Sequence, residues 1–203
     1  MPERARRVVL ASANPGKQRE FAVLLDSHGI ELVLQTAIGI PSIAETGDSF
    51  EANALLKAHH AARLSGLPAL ADDSGLEVDA LGGRPGVHSA RYAGESAGDQ
   101  VNNRKLLAEL EGVAPAARTA RYRCVLALVR HSGDTAPLLA SGTWHGSIAL
   151  AACGGRGFGY DPLFIPHGMR DCAAELPPAV KNELSHRAQA LKRLLPQLEQ
   201  VHW

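Results

Sequence analysis

The sequence predicts an α/β protein on a mixed sheet, from three observations. Short apolar runs alternate with helix-patterned stretches through the first half, which reads as strands joined by helix crossovers. A long alternating strand then reaches a turn and returns as a hairpin. The chain closes on a helix with an apolar stripe of its own.

The elements follow in order. Arg7 to Ser12 is a short apolar run and reads as a buried first strand. Gly16 to His28 reads as a helix with Phe21, Leu24, Leu25 and His28 near one face and Gly29 as its stop. Glu31 to Gln35 is a second strand, and Thr36 to Asp48 a loop rich in turn residues. Asp48-Ser49-Phe50-Glu51 has capping-box spacing, so a helix is expected from Ser49 to Ser65, stopping at Gly66. Pro68 to Asp72 is a strand ending in Asp72-Asp73-Ser74-Gly75. Gly82 to Gly86 reads as an irregular loop, and Asp99 to Leu110 as a third helix closed by Gly112. Arg118 to Arg130 is a long strand with Ala120, Tyr122, Cys124, Leu126 and Leu128 on one face. His131-Ser132-Gly133-Asp134 is its hairpin turn, and Leu138 to Trp144 the returning strand. Gly154 to Asp161 is a glycine-rich loop. Leu184, Ala188, Leu191, Leu195 and Leu198 form the stripe of a C-terminal helix, with Pro196 as a candidate kink.

Composition narrows the function classes. The 203 residues suit one ordinary domain, or two small lobes sharing a core. Lys and Arg number 21 and Asp and Glu 21, which argues against a protein that neutralises nucleic-acid phosphates non-specifically. Aromatics at 4% argue against a stacking platform for single strands. No apolar run has the length of a membrane helix, and Val8 to Ala13 is too short for a signal-peptide core. Three cysteines without CxxC spacing give no expectation of a disulfide framework or a zinc site, and so suggest a reducing, cytoplasmic setting.

Four stretches could carry chemistry. Ser12-Ala13-Asn14-Pro15-Gly16-Lys17 joins a strand to a helix, where a helix start and a lysine suit phosphate. It equally suits an ordinary turn, and it is not a Walker loop, because Gln18 follows the lysine. Asp72 and Asp73 are adjacent carboxylates at a strand end, a costly pairing that Mg²⁺ would relieve, with Glu45 as a further oxygen ligand. The alternative is an Asx-type turn at Asp73-Ser74-Gly75. In the glycine-rich loop, Phe158 and Tyr160 could clamp a flat ring, or be two core aromatics. Lys181, His186 and Arg187 crowd donors near a helix start, which suits an anionic or carbonyl-rich ligand or a solvated basic turn. Taken alone, Lys57 reads as a solvated helical lysine, one turn after Asn53.

Together these stretches resemble the inosine/xanthosine triphosphate pyrophosphatases. The matching blocks are Ser12-x-Asn14-x-x-Lys17, Glu45-Thr46-Gly47 leading to Phe50-Glu51-x-Asn53-Ala54-x-x-Lys57-Ala58, and Ala71-Asp72-Asp73-Ser74-Gly75-Leu76. Gly82-Gly83-x-Pro85-Gly86 with Ser89-Ala90-Arg91-Tyr92, Gly157-Phe158-Gly159-Tyr160-Asp161-Pro162, and Lys181-Asn182-x-x-Ser185-His186-Arg187 complete them. The chain departs from the family pattern at Arg156, across Ile148 to Cys153, and at Ala179-Val180.

The resemblance implies one α/β domain over residues 1–203, with two lobes on a long mixed β-sheet, flanking helices and the active site in the cleft between lobes. It implies Mg²⁺-dependent hydrolysis of non-standard purine nucleoside triphosphates to monophosphate and pyrophosphate, by a homodimer. No nucleic acid or membrane partner is expected. By position, Ser12, Ala13, Asn14, Pro15, Gly16 and Lys17 would hold phosphates, and Ser74 would contact substrate. Glu45 and Asp73 would bind metal, Asp73 would activate water and Lys57 would neutralise phosphate charge. Phe158, Gly159, Tyr160, Asp161, Lys181, His186 and Arg187 would hold the purine and sugar. Asp72 stays a rival for both roles of Asp73. A nucleotide sensor without catalysis and a pyrophosphatase for modified pyrimidines are the alternatives. Glu45, Asp73 and Lys57 together argue against the sensor, which needs no base to activate water.

Overall fold

The computed structural model describes residues 6–25 and 28–200. Among the described residues six strands form one sheet in the order β2-β1-β3-β4-β5-β6. Strand β1 (Arg6–Leu10) pairs parallel with β2 (Ile30–Leu34) and with β3 (Ala69–Val78). Strand β5 (Leu138–Ile148) pairs antiparallel with β6 (Phe164–Pro166), so the sheet is mixed, as the sequence predicts. β4 spans Thr119–Val129. The helices are α1 (Pro15–Leu25), α2 (Phe50–Ser65), α3 (Asp99–Glu109), α4 (Pro178–Leu184) and α5 (His186–Glu199). Among the described residues no helix is long and apolar enough to cross a membrane.

The chain divides into two units. The first takes the described residues of Met1–Asp73, Val125–Ser141 and Arg187–Trp203; the second takes Ser74–Cys124 and Gly142–His186. In the first, Val8, Val9 and Leu10 of β1 are buried on successive positions, the pattern of a strand covered on both faces. Phe21 and Leu25 of α1, and Ala54, Ala58, Ala61 and Ala62 of α2, bury there too. The four alanines follow helical spacing and keep one side of α2 small enough for close packing. In the second unit, Leu76, Tyr122, Trp144, Tyr160, Leu163 and Phe164 belong to one apolar cluster.

Several boundaries differ from expectation, each for a local reason. Helix α2 is capped by Ser49 rather than Asp48: the Ser49 hydroxyl accepts the Ala52 N–H, and Gly66 closes the helix at φ 69°. Strand β3 does not stop at Asp72 but runs through Asp73, Ser74 and Gly75 to Val78, so no Asx turn forms there. The expected end of α1 falls on residues 26 and 27, outside the described residues, and His28 is exposed rather than on the core face. The C-terminal helix is two helices, because Ser185 is extended (ψ 158°) between α4 and α5. Leu184 therefore packs with α4 against the second unit's cluster, and the buried stripe of α5 is Ala188, Leu191, Leu194 and Leu198. Sequence patterning missed β6, whose three residues are too few to show a period. The cysteine expectation is also corrected: Cys153 and Cys172 pair as a disulfide across 19 residues, and Cys124, outside that pair, is buried.

Candidate active site

In the first unit, β3 presents Asp72 and Asp73 in succession, and a strand turns successive side chains to opposite faces. Each carboxylate meets cations from different helices. Asp72, with its side chain fully buried, pairs with Lys17 of α1 and lies 3.5 Å from Nε of Arg187 of α5. Burial alone would raise its carboxyl, but Lys17, Arg187 and Lys57 hold it well below the usual carboxylate range. Arg187 also donates to Glu20 at 2.8 Å.

Asp73 has a different setting. Lys57 Nζ donates to Asp73 Oδ1 and to Glu45 Oε1, each at 2.7 Å. One ammonium thus serves two carboxylates. Burial pushes the Asp73 carboxyl up to about 6; Lys57 pulls against this and Glu45 adds to it. The Lys57 ammonium is itself held above its ordinary value, because Asp73, Glu45 and Asp72 outweigh its burial. Asn53, fully buried one turn before Lys57, ties the group together. Its Nδ2 donates to Asp73 at 3.4 Å, and its Oδ1 accepts the Gly47 N–H at 2.8 Å. A Cβ at Gly47 would stand 2.7 Å from that Oδ1, so only glycine lets the Glu45 loop approach α2 this closely.

The donor set fits a hard divalent cation. Two carboxylate oxygens, Glu45 Oε1 and Asp73 Oδ1, converge on one cationic nitrogen, and both are hard donors of the kind such an ion takes.

The Ser12–Lys17 loop is organised from within. Asn14 Oδ1 accepts the N–H groups of Gly16 and Lys17 at 2.8 and 3.1 Å, and Ser12 Oγ accepts the Asn14 N–H at 3.2 Å. Two donors of the α1 start are therefore taken by the cap, and Pro15 sits at the position that lacks one. The cationic group of this loop is the Lys17 ammonium beside Asp72. Ser12 and Gly16 are buried, while Ala13, Asn14 and Pro15 are exposed.

The second unit holds the glycine-rich loop. Asp161, 2% exposed, accepts from Lys181 Nζ at 2.6 Å, from the Phe158 N–H at 2.9 Å and from the Tyr122 hydroxyl at 3.4 Å. Gly157 has φ 76°, and a Cβ there would collide with the Asp161 carboxylate, so glycine permits the turn. Lys181 Nζ also lies 4.9 Å from the centre of the half-buried Phe158 ring. Tyr160 is buried in the apolar cluster and donates its hydroxyl to the Ser89 carbonyl at 2.8 Å. His186 stacks on Tyr122 with ring centres 4.6 Å apart and planes 5° apart. Ser74, half-buried, begins this unit.

Glu45, Lys57 and Asp73 thus converge in the first unit, with Asp72, Lys17 and Arg187 beside them through the Lys17 and Arg187 pairs. Phe158 to Asp161, Lys181 and His186 belong to the second. No pattern in the sequence by itself assigns a role to Glu20 or Tyr122, and Asn53 stands in a matching block without one. For Asn53 the signal was present: it lies four residues before Lys57, on the same helical face. Glu20 and Tyr122 carried no such signal.

A model of the Ham1 family matches residues 8–197. A protein of Methylococcus capsulatus named dITP/XTP pyrophosphatase is 58% identical, covering 95% of this chain and 96% of its own length. One of Vibrio parahaemolyticus with the same name is 53% identical over 95% and 96%. Among solved structures, a HAM1 protein from Coxiella burnetii superposes with a TM-score of 0.88 at 46% identity, covering 97% of this chain and all of that one. The Staphylococcus aureus Ham1 protein gives 0.83 at 37% identity, covering 96% and 99%.

Proposed function

Since the chain belongs to the Ham1 family, we propose that it is a nucleoside triphosphate pyrophosphatase that hydrolyses dITP, ITP and XTP to the monophosphate and pyrophosphate. The observation that carries this reading is the sharing of Lys57 by Glu45 and Asp73. A site for attack on phosphorus must neutralise charge and hold a water with a base beside it. Asp73, whose carboxyl is raised towards neutrality, is suited to take the proton of the attacking water. Asp72, already matched by Lys17 and Arg187, is the worse base. Lys57 and Lys17 neutralise phosphate charge.

Glu45 and Asp73 hold a divalent ion, proposed here as Mg²⁺. When bound, it supplies polarisation of the phosphoryl oxygens and further charge neutralisation. Ser12 to Lys17 hold the phosphates and Ser74 contacts the substrate. Phe158 offers its ring face to the purine, with Gly159 to Asp161, Lys181, His186 and Arg187 serving the base and sugar. By the same resemblance we propose one two-lobed domain over 1–203, acting as a homodimer; a cytoplasmic setting is a separate proposal.

In the proposed reaction water adds to the α-phosphorus, and the bond between that phosphorus and the bridging oxygen breaks. The proton passes to Asp73 and pyrophosphate leaves. Hydrolysis of inosine triphosphate in ¹⁸O-water with Mg²⁺ should put the label on the monophosphate. Label in free orthophosphate, with a diphosphate product, would mean terminal phosphatase chemistry and sink this reading.

A further inference from the structure

One helix takes hold of the aromatic loop of the second unit at its central glycine. Gly159, between Phe158 and Tyr160, has both backbone groups taken by α3. Its N–H donates to Asp99 Oδ2 at 2.6 Å, and its carbonyl accepts from Asn103 Nδ2 at 3.0 Å. Asp99 and Asn103 are four apart, so they share a helical face. Between them, Asn102 anchors the next layer: its Oδ1 accepts the Ala93 N–H at 2.8 Å, and its Nδ2 donates to the Ala90 carbonyl at 3.2 Å. That segment carries Ser89, whose carbonyl takes the Tyr160 hydroxyl. One helix therefore fixes the peptide after Phe158 directly and the Tyr160 ring through Ser89.

Asn103 is also held at a cost. It is 9% exposed, and its Oδ1 is buried with no hydrogen-bond partner among the described residues. A buried acceptor left unmade is unfavourable, so packing alone does not account for asparagine here. Its Nδ2, reaching the loop carbonyl, does.

We infer that Asp99 and Asn103 are positioning residues that set the Phe158 ring for the purine, acting through the two backbone groups of Gly159. This rests on the reading that the 158–161 loop holds the base. Neither side chain is assigned a contact with substrate.

Two substitutions separate positioning from folding. Asn103→Leu keeps the branched shape, removes the donor and also removes the unpaired acceptor, so its melting temperature should stay close to the parent's. Asp99→Ala removes the acceptor for the Gly159 N–H, and Asp99→Asn restores an acceptor oxygen. For inosine triphosphate, Asn103→Leu and Asp99→Ala should each raise KM about tenfold with kcat within about twofold, the split expected when ground-state and transition-state binding weaken together. Asp99→Asn should recover most of the loss. In a Phe158→Ala background, Asn103→Leu should add little, since both act on one contact.

Unchanged KM in Asn103→Leu, with KM raised in Phe158→Ala, overturns the inference and leaves the loop's role standing. So does an Asn103→Leu effect that simply adds to that of Phe158→Ala. Unchanged KM in Phe158→Ala overturns the base-loop reading itself. A lowered melting temperature with kcat and KM both unaltered shows a structural role only, against the inference.

Discussion

In the first unit Asp72 and Asp73 sit on a strand and are held by side chains reaching from three helices. Lys17 comes from α1, Lys57 and Asn53 from α2, and Arg187 from α5. In the second unit the aromatic residues sit in a loop, and the hold is largely on backbone: Asp161 takes the Phe158 N–H, and Asp99 and Asn103 take both groups of Gly159. The first arrangement concentrates charge against burial; the second fixes shape. The difference teaches what each can do. Opposed charges in a buried setting can move a carboxyl far from its ordinary value, as Asp72 and Asp73 do in opposite directions. A loop pinned through its peptides can hold a ring face steady but cannot generate a base.

The contrast is tested most severely by Asp73→Asn, which keeps shape and removes the proton acceptor. Turnover should fall ~10²–10⁴-fold, the scale of a lost general base. Folding should not suffer. The folded carboxyl, raised to about 6, lies above its ordinary 3.8, so the charged form is disfavoured in the native state. The parent should therefore lose stability as pH rises between those values, and the variant should not. Thermal melts in metal-free buffer across that range check the sign. A variant that is less stable than the parent at neutral pH would contradict it.

Asp72→Asn should behave in the opposite manner. It leaves Lys17 without the buried charge that balances it and Arg187 with Glu20 alone, a loss of about 3–5 kcal/mol by the usual cost of breaking a buried pair. Denaturant unfolding measures this. If Asp72→Asn instead stays stable and loses turnover, while Asp73→Asn retains it, the roles of the two carboxylates are reversed.

Phe158→Ala probes the other region. Base stacking contributes ~1–3 kcal/mol and tolerates any purine. KM should therefore rise by one common factor for inosine, guanosine and adenosine triphosphates, with kcat nearly constant. A change in their ranking would show that the ring selects among bases, not merely holds them.

The smallest effect tests how the charged group is mounted. Ser49→Ala removes the cap of α2, the helix that carries Asn53 and Lys57. Stability should drop by ~1 kcal/mol, with kcat retained in the folded protein. A kcat loss at full stability would mean that the Lys57 position depends on the first turn of α2, sharpening the link between cap and site.

Much of the fold was legible because its signals are local. Gly66 ends α2 in the left-handed conformation, as its place after an alanine-rich helix predicts. The alternation of β4 and the turn before β5 announced a hairpin pattern, and Asp134 duly accepts the Arg130 N–H at 3.0 Å. The failures also have local causes. Asp48 and Ser49 both suit a cap, and only backbone geometry distinguishes them. Leu184 fits the apolar period of α5 by coincidence, since extended Ser185 breaks the helix between them. Cys153 and Cys172 meet through loops whose path no spacing rule describes.

What the sequence determined by itself is the α/β class, the order of most elements, and the residue types that suit phosphate and metal chemistry, all read from periodicity, capping and short motifs. Tertiary structure alone decided which carboxylate is which. Asp72 and Asp73 are chemically identical and adjacent, so no one-dimensional pattern distinguishes them. Strand β3 turns them to opposite faces, and packing brings two cations to Asp72 and a shared lysine with a second carboxylate to Asp73. Proton affinity follows from burial and neighbouring charge, and both exist only once helices far apart in the chain have come together.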